Sequence, residues 1–257
     1  EPDGSSTVID RDSGLNSNMI NDIQAGPDSA LWIATEGGGL VRRRNAALQM
    51  FVEAEALPSA HVQAVLCEAD GSVWAATRKG IALIRDGRIL ESAPDGSPVS
   101  PGAHHFTALA LAVDGSLWAA SYGQGAWRRL PGKGWTQHGS DQGLASDEVY
   151  SVARASAGRM AFGTALGLSL YDGSAWRNYG PQDGVGPGAV RCVFTSADSA
   201  LWLCVEGQGI VRFDPDRFDP PETWITSPIG RACAVDPSGQ PICLMSLTDS
   251  LDSPESD

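Results

Sequence analysis

Lysine is almost missing from this chain: two residues, Lys79 and Lys133, in 257. The 18 basic side chains stand against 31 acidic ones, for a formal charge of −13. Binding to a phosphate backbone needs clustered cations that release counterions, so this balance argues against nucleic acid as a partner. The one basic run, Arg42 to Arg44, sits on an otherwise alternating segment and reads as a solvated strand end. Long apolar runs are missing too. Stretches such as Phe106 to Val113 fall far short of the roughly 20 residues that a membrane-spanning helix needs, so no direct membrane insertion is expected. Also absent are an initiator Met, a basic n-region and an apolar h-region at Glu1 to Gly4, which reads as a processed chain or a piece of a longer one. The five cysteines show no CxxC or CxxH spacing, which disfavours a structural zinc site, and each falls in an apolar strand-like run where a small buried hydrophobe fits. Cys192 and Cys204 flank one predicted hairpin turn, which leaves a disulfide open to them in an oxidising compartment.

What the chain does have is 42% hydrophobic residues, 30 glycines, 8 tryptophans and a repeat. Asp28 to Thr35 reads Asp-Ser-Ala-Leu-Trp-Ile-Ala-Thr, and the pattern returns at Asp70 to Thr77, Asp114 to Ser121 and Asp198 to Val205. Degenerate copies lie at Ala157 to Thr164 and Ser238 to Met245. The landmarks Trp32, Trp74, Trp118, Ala161, Trp202 and Ile242 are 42, 44, 43, 41 and 40 residues apart. Six units of about 42 residues point to a repeat architecture.

Each unit has the period of strands. An apolar pair three apart leads it: Ile20/Ile23, Val62/Val65, Phe106/Leu109, Val149/Val152 and Val190/Val193. An Asp-Gly or Asp-Ser hairpin turn follows, then the Trp strand, a Gly-rich turn, a third strand and, in most units, a fourth. Four antiparallel strands per unit is the signature of a propeller blade. The expected fold is therefore all-β, a single β-propeller domain over residues 1–251 with six four-stranded antiparallel blades, followed by a disordered acidic tail at 252–257. Thr7 to Asp10 reads as an orphan fourth strand, and the last unit has room for only three. The N-terminal strand is thus expected to close the ring by completing the C-terminal blade, which would remove exposed edges. The alternative is a fragment of a larger propeller.

The unit from Ala56 to Val65, with Asp70 to Thr77 and Gly80 to Ile84, resembles the two-component regulator propeller repeat. Gly14 to Ile20 and Gly143 to Val149 repeat its linker. The resemblance covers essentially the whole chain. It implies the periplasmic or extracytoplasmic sensor region of a bacterial regulator, a histidine kinase or diguanylate cyclase, joined to a membrane-anchored signalling module. On that reading the protein is a non-catalytic ligand-sensing propeller in signal transduction, with no cofactor, no bound metal and no catalytic residues.

If the apolar strand is innermost, antiparallel geometry opens the linker before it and the Gly-rich loop after the Trp strand on one face. That face would display Glu36, His61, Arg78, His105, Tyr122, Gln124, Glu148, Glu206, Gln208 and Arg231. These positions vary where the framework repeats, and a mixed polar, partly aromatic mouth suits a small molecule or glycan, or a protein partner. His104 and His105, adjacent in a strand, would point to opposite sides, leaving one to pack. The recurring tryptophans read as packing between blades. Similar Trp-strand repeats also build streptogramin-type lyases and lactonases, the enzyme alternative.

Overall fold

The computed structural model describes residues 8–45, 47–90, 99–102, 104–216, 222–225, 230–235 and 241–245, the last three as strand backbone apart from Thr223. They form five four-stranded antiparallel meanders and one two-stranded pair, with four short 3-10 turns as the only helix among the described residues. The first sheet shows the pattern: Ile20–Ala25, Leu31–Thr35, Gly39–Arg44 and Ala47–Phe51, each strand paired with the next.

Sequence chemistry sets each turn. Asp70 and Asp114 accept the backbone N–H of Ser72 and Ser116 at 2.9 Å, and Gly71 and Gly115 supply the positive φ between them. The same aspartates reach back to an arginine on the third strand: Asp28 to Arg42 at 2.5 Å, Asp70 to Arg85 at 2.8 Å, Asp114 to Arg128 at 2.5 Å and Asp198 to Arg212 at 2.7 Å. Arg42 and Arg128 also lie over the indoles of Trp32 and Trp118. Arg42 of the basic run is therefore framework rather than a solvated end. At the other end, the glycine at the start of the third strand has positive φ in each of the five four-stranded sheets (Gly39, Gly80, Gly125, Gly167, Gly209). A Cβ at Gly39 or Gly125 would sit 2.3 Å from a fourth-strand carbonyl, of Phe51 or His138, so only glycine fits there.

Sheets stack through their first strands, each packing on the sheet before it. Val62 and Val65 enter a cluster with Trp32, Ala34 and Leu40, and Val190 and Val193 enter one with Leu168, Leu170 and Tyr179. Full burial of such side chains is worth about 1.5–3 kcal/mol each. Side chains also close the exposed first-strand edges: Asp22 accepts from the Val65 N–H at 2.9 Å, and Arg154 donates to the Leu111 carbonyl at 2.5 Å. The four framework tryptophans are buried at these seams.

Three expectations change. The sixth sheet has two strands among the described residues, not four, and among those residues the packing runs from the first sheet to the sixth without closing a ring. The N-terminal strand is absent from the described part: Thr7 lies outside it, and Val8 to Asp10 form no strand. Ile9 packs instead on Leu15, Ile33 and Val41 of the first sheet, while the Asp10 carboxylate holds the Ser13 N–H in a turn. Cys192 and Cys204 lie directly opposite each other, but Cys204 is disulfide-bonded while Cys192 is a thiol and not its partner. Directly opposed residues of an antiparallel pair hold their Cβ atoms about 4.5–5.5 Å apart, beyond the usual disulfide span. The segment 252–257, expected as a tail, lies outside the described residues.

Candidate functional site

One backbone hydrogen bond recurs at the end of the sheets opposite the Asp turns. Glu36 donates to the Met19 carbonyl, Arg78 to His61, Tyr122 to His105, Ala165 to Glu148 and Glu206 to Ala189, all at 2.9–3.1 Å. Each ties the loop after a second strand to the linker before the first strand of the same sheet. Loops and linkers therefore share one face, and most of the residues singled out from sequence lie along it.

Glu36 is the hub of the seam between the first two sheets. Its Oε1 receives His61 Nδ1 at 2.7 Å and the Arg78 guanidinium at 2.8 Å, and its Oε2 accepts from Asn21 at 3.2 Å and Gln63 at 3.0 Å. Burial pushes this carboxyl up, but the donors Asn21, His61 and Gln63 and the charge of Arg78 outweigh it, leaving Glu36 below the ordinary range. The Arg78 side chain stays 46% exposed, so it faces solvent as well as Glu36.

The band continues into the third sheet. Burial, then the positive charge of Arg78, lowers the His105 pKa, and its Nε2 is buried with no hydrogen-bond partner. The imidazole lies 5.9 Å from the ring of Tyr122, which is half exposed and in turn 6.1 Å from Tyr150. His104, its neighbour, turns the other way and stacks on Trp127 at 5.3 Å, although both histidines precede the strand, which begins at Phe106, rather than lying in it as expected. Tyr150 donates its hydroxyl to Glu148 at 3.0 Å, and burial followed by that bond raises its pKa. The Arg191 guanidinium sits 4.2 Å over the Tyr150 ring and reaches Glu206 at 2.9 Å.

Seven of the ten candidate residues thus form one connected band across five sheets: Glu36, His61, Arg78, His105, Tyr122, Glu148 and Glu206. Gln124 is exposed beside Tyr122 without joining the network. Gln208 turns inward, accepting from the Gly186 N–H at 2.7 Å and donating to the Gly184 carbonyl at 3.1 Å, so it braces the linker. The side chain of Arg231 lies outside the described residues. Sequence reading missed Asn21, Gln63, Tyr150 and Arg191, which sit on first strands rather than in loops. The available signal was a polar residue directly after the leading apolar one.

Chemically, the band offers aromatic faces, hydrogen-bond donors and carboxylates already engaged by donors. Among the described residues, no three His, Cys, Asp or Glu side chains are grouped to hold a metal, and no helix is long and apolar enough to cross a membrane.

No protein-family model and no curated protein matches the chain in sequence. Solved structures do match in fold. The chain is similar to the extracellular domain assigned to a hybrid two-component system of B. thetaiotaomicron, at 16% identity and a TM-score of 0.70, covering 95% of this chain and 34% of that one. A second such domain from the same organism matches at 17% identity and a TM-score of 0.73, covering 88% of this chain and 30% of that one. Virginiamycin B lyase from Staphylococcus aureus matches at 14% identity and a TM-score of 0.59, covering 90% and 71%. The chain spans about a third of the length of the two-component domains. At these identities the likeness is one of fold, and that fold is the one the two-component propeller repeat implied.

Proposed function

We propose that this chain is a non-catalytic ligand-sensing propeller of an extracytoplasmic signalling protein, binding a small polyhydroxylated molecule or glycan fragment on the linker face. The observation that carries this is the continuous band from Glu36 to Glu206, in which residues differing from sheet to sheet connect on a repeating scaffold. Exposed Tyr122 offers a stacking surface, and Arg78 and Arg191 flank it with donors. The fold likeness to extracellular two-component domains supports joining to a membrane-anchored output module. The carboxylates favour binding over catalysis: Glu36 is held by four donors and below its ordinary pKa, which makes it a weak general base.

The architecture proposed with it is a six-bladed ring over residues 1–251, in which the sixth sheet packs against the first. Support comes from the leading apolar pairs. Val62, Phe106, Val149 and Val190 are fully buried against a preceding sheet, whereas Ile20 and Ile23 are 38% and 55% exposed. Ile242 and Leu244 occupy the register positions of Trp32 and Ala34, where a preceding sheet receives such a pair.

A thermal-shift screen against oligosaccharides and divalent cations tests the function. A ligand that binds only the folded state stabilises by about 2.7 kcal/mol at 100 times its Kd. Stabilisation by a sugar that persists in chelator is expected. Metal-dependent stabilisation lost in Glu206→Ala or His105→Ala would favour an enzyme, and no response to either class would favour a protein-docking scaffold.

A further inference from the structure

All six sheets carry a β-bulge at one place. Pairing of the first strand with the second skips a residue between Ile20 and Asp22, Val62 and Ala64, Phe106 and Ala108, Val149 and Ser151, Val190 and Cys192, and Gly230 and Ala232. The skipped residues are Asn21, Gln63, Thr107, Tyr150, Arg191 and Arg231, every one polar. A bulge leaves its extra residue out of the ladder and re-aims the side chain. Here it keeps the preceding apolar residue in the seam, where Val62, Phe106, Val149 and Val190 are fully buried, and frees the next residue from the strand alternation.

The described bulge side chains perform two tasks. Asn21 and Thr107 each donate at 2.8 Å to the carbonyl of the leading residue in the next first strand, Val62 and Val149, and so latch one sheet to the next, with Asn21 also reaching Glu36 at 3.2 Å. Gln63, Tyr150 and Arg191 instead hold a face carboxylate: Gln63 donates to Glu36 at 3.0 Å, Tyr150 to Glu148 at 3.0 Å and Arg191 to Glu206 at 2.9 Å. The second group differs in size, charge and aromaticity while its backbone position is constant. Such a position can be exchanged without touching the ladder, as a site tuned for different ligands requires.

We infer that Gln63, Tyr150 and Arg191 are the specificity-setting residues of the linker face, positioning the carboxylates that meet a polyhydroxylated ligand, while Thr107 serves only as a sheet-to-sheet latch. This rests on the ligand-sensing reading above. The experiment measures calorimetric binding of cellotriose, xylotriose and trigalacturonate to the full chain. The variants are Gln63→Leu, Tyr150→Phe, Arg191→Met, Arg191→Lys and Thr107→Val, with Tm recorded for each. Losing a hydrogen bond to a charged group should change the ratio of affinities among the probes by about tenfold. Arg191→Lys, which keeps the cation, should fall between Arg191→Met and the parent. Thr107→Val should lower Tm by about 2–4 °C and leave the ratio unchanged. Binding by the parent with ratios unmoved in all three specificity variants overturns the inference alone, and so does a Thr107→Val effect on the ratio equal to theirs. Absence of binding by the parent to any probe overturns the ligand-sensing reading, and this inference with it.

Discussion

Replacing Ile23 by Ala weighs the closed ring against an open arc. Its counterparts show what a closed seam is worth. Val65 and Val193 are 4% and 5% exposed, and truncating either to Ala removes two buried carbons, at about 0.8 kcal/mol each before any cavity cost, or roughly 2–3 kcal/mol in all. Ile23 loses three carbons. If the flank of the first sheet faces water, as its 55% exposure has it, the substitution costs below about 1 kcal/mol. If the sixth sheet covers it, the cost rises to about 2–5 kcal/mol, the range for Ile to Ala in a core. Urea denaturation of the two variants, with the m-value compared to the parent, gives the numbers. The ring predicts that Ile23→Ala costs at least as much as Val65→Ala at an unchanged m-value. A cost below about 0.5 kcal/mol, with Val65→Ala costing 2 or more, would refute it.

Other substitutions probe the site and the framework. Glu36→Gln should lower stability at pH 7 and remove part of its pH dependence. Because the folded carboxyl lies below its ordinary value, its contribution is complete above that value and fades as pH falls through the folded one, so parent and variant Tm should converge in acid. His105 and His138 titrate in the same direction: burial lowers both pKa values, so their stabilising effect is full above about pH 6.5 and declines as pH drops toward the folded values. The Tm of the parent should fall between pH 7.5 and 5, and His138→Phe should flatten that slope. Gly125→Ala should destabilise by more than about 2 kcal/mol in urea, because its φ is +71° and the new Cβ would meet the His138 carbonyl at 2.3 Å.

Much of the fold was legible because the repeat writes the same physical constraint several times. Aspartate turns and buried tryptophans recur at one position in four of the sheets, and the third-strand glycine in all five four-stranded ones, each for one geometric reason. The turn-to-strand arginine clamps escaped notice, since Arg42, Arg85, Arg128 and Arg212 pair with residues about 15 positions away and each looks like an ordinary surface charge alone. The linker face was half legible. Loop positions such as Glu36 and Tyr122 follow from antiparallel geometry, but Gln63, Tyr150 and Arg191 sit inside strands, where period-2 alternation assigns them a side they do not take. Only a bulge redirects them, and polarity in an apolar run is its faint trace. Gln208 differs in another way: it bonds back to its own linker at Gly184 and Gly186, and its sequence position does not tell this apart from display.

Hydrogen–deuterium exchange with a saturating oligosaccharide, identified by the thermal-shift screen, tests the central claim most directly. Sensing on the linker face predicts slowed exchange in the loops around Glu36, Arg78, Tyr122 and Glu206 and in the linkers around His61, His105 and Glu148. The Asp turns at Asp28, Asp70, Asp114 and Asp198 should be unaffected. Protection centred on those turns, with the linker face unchanged, would contradict it.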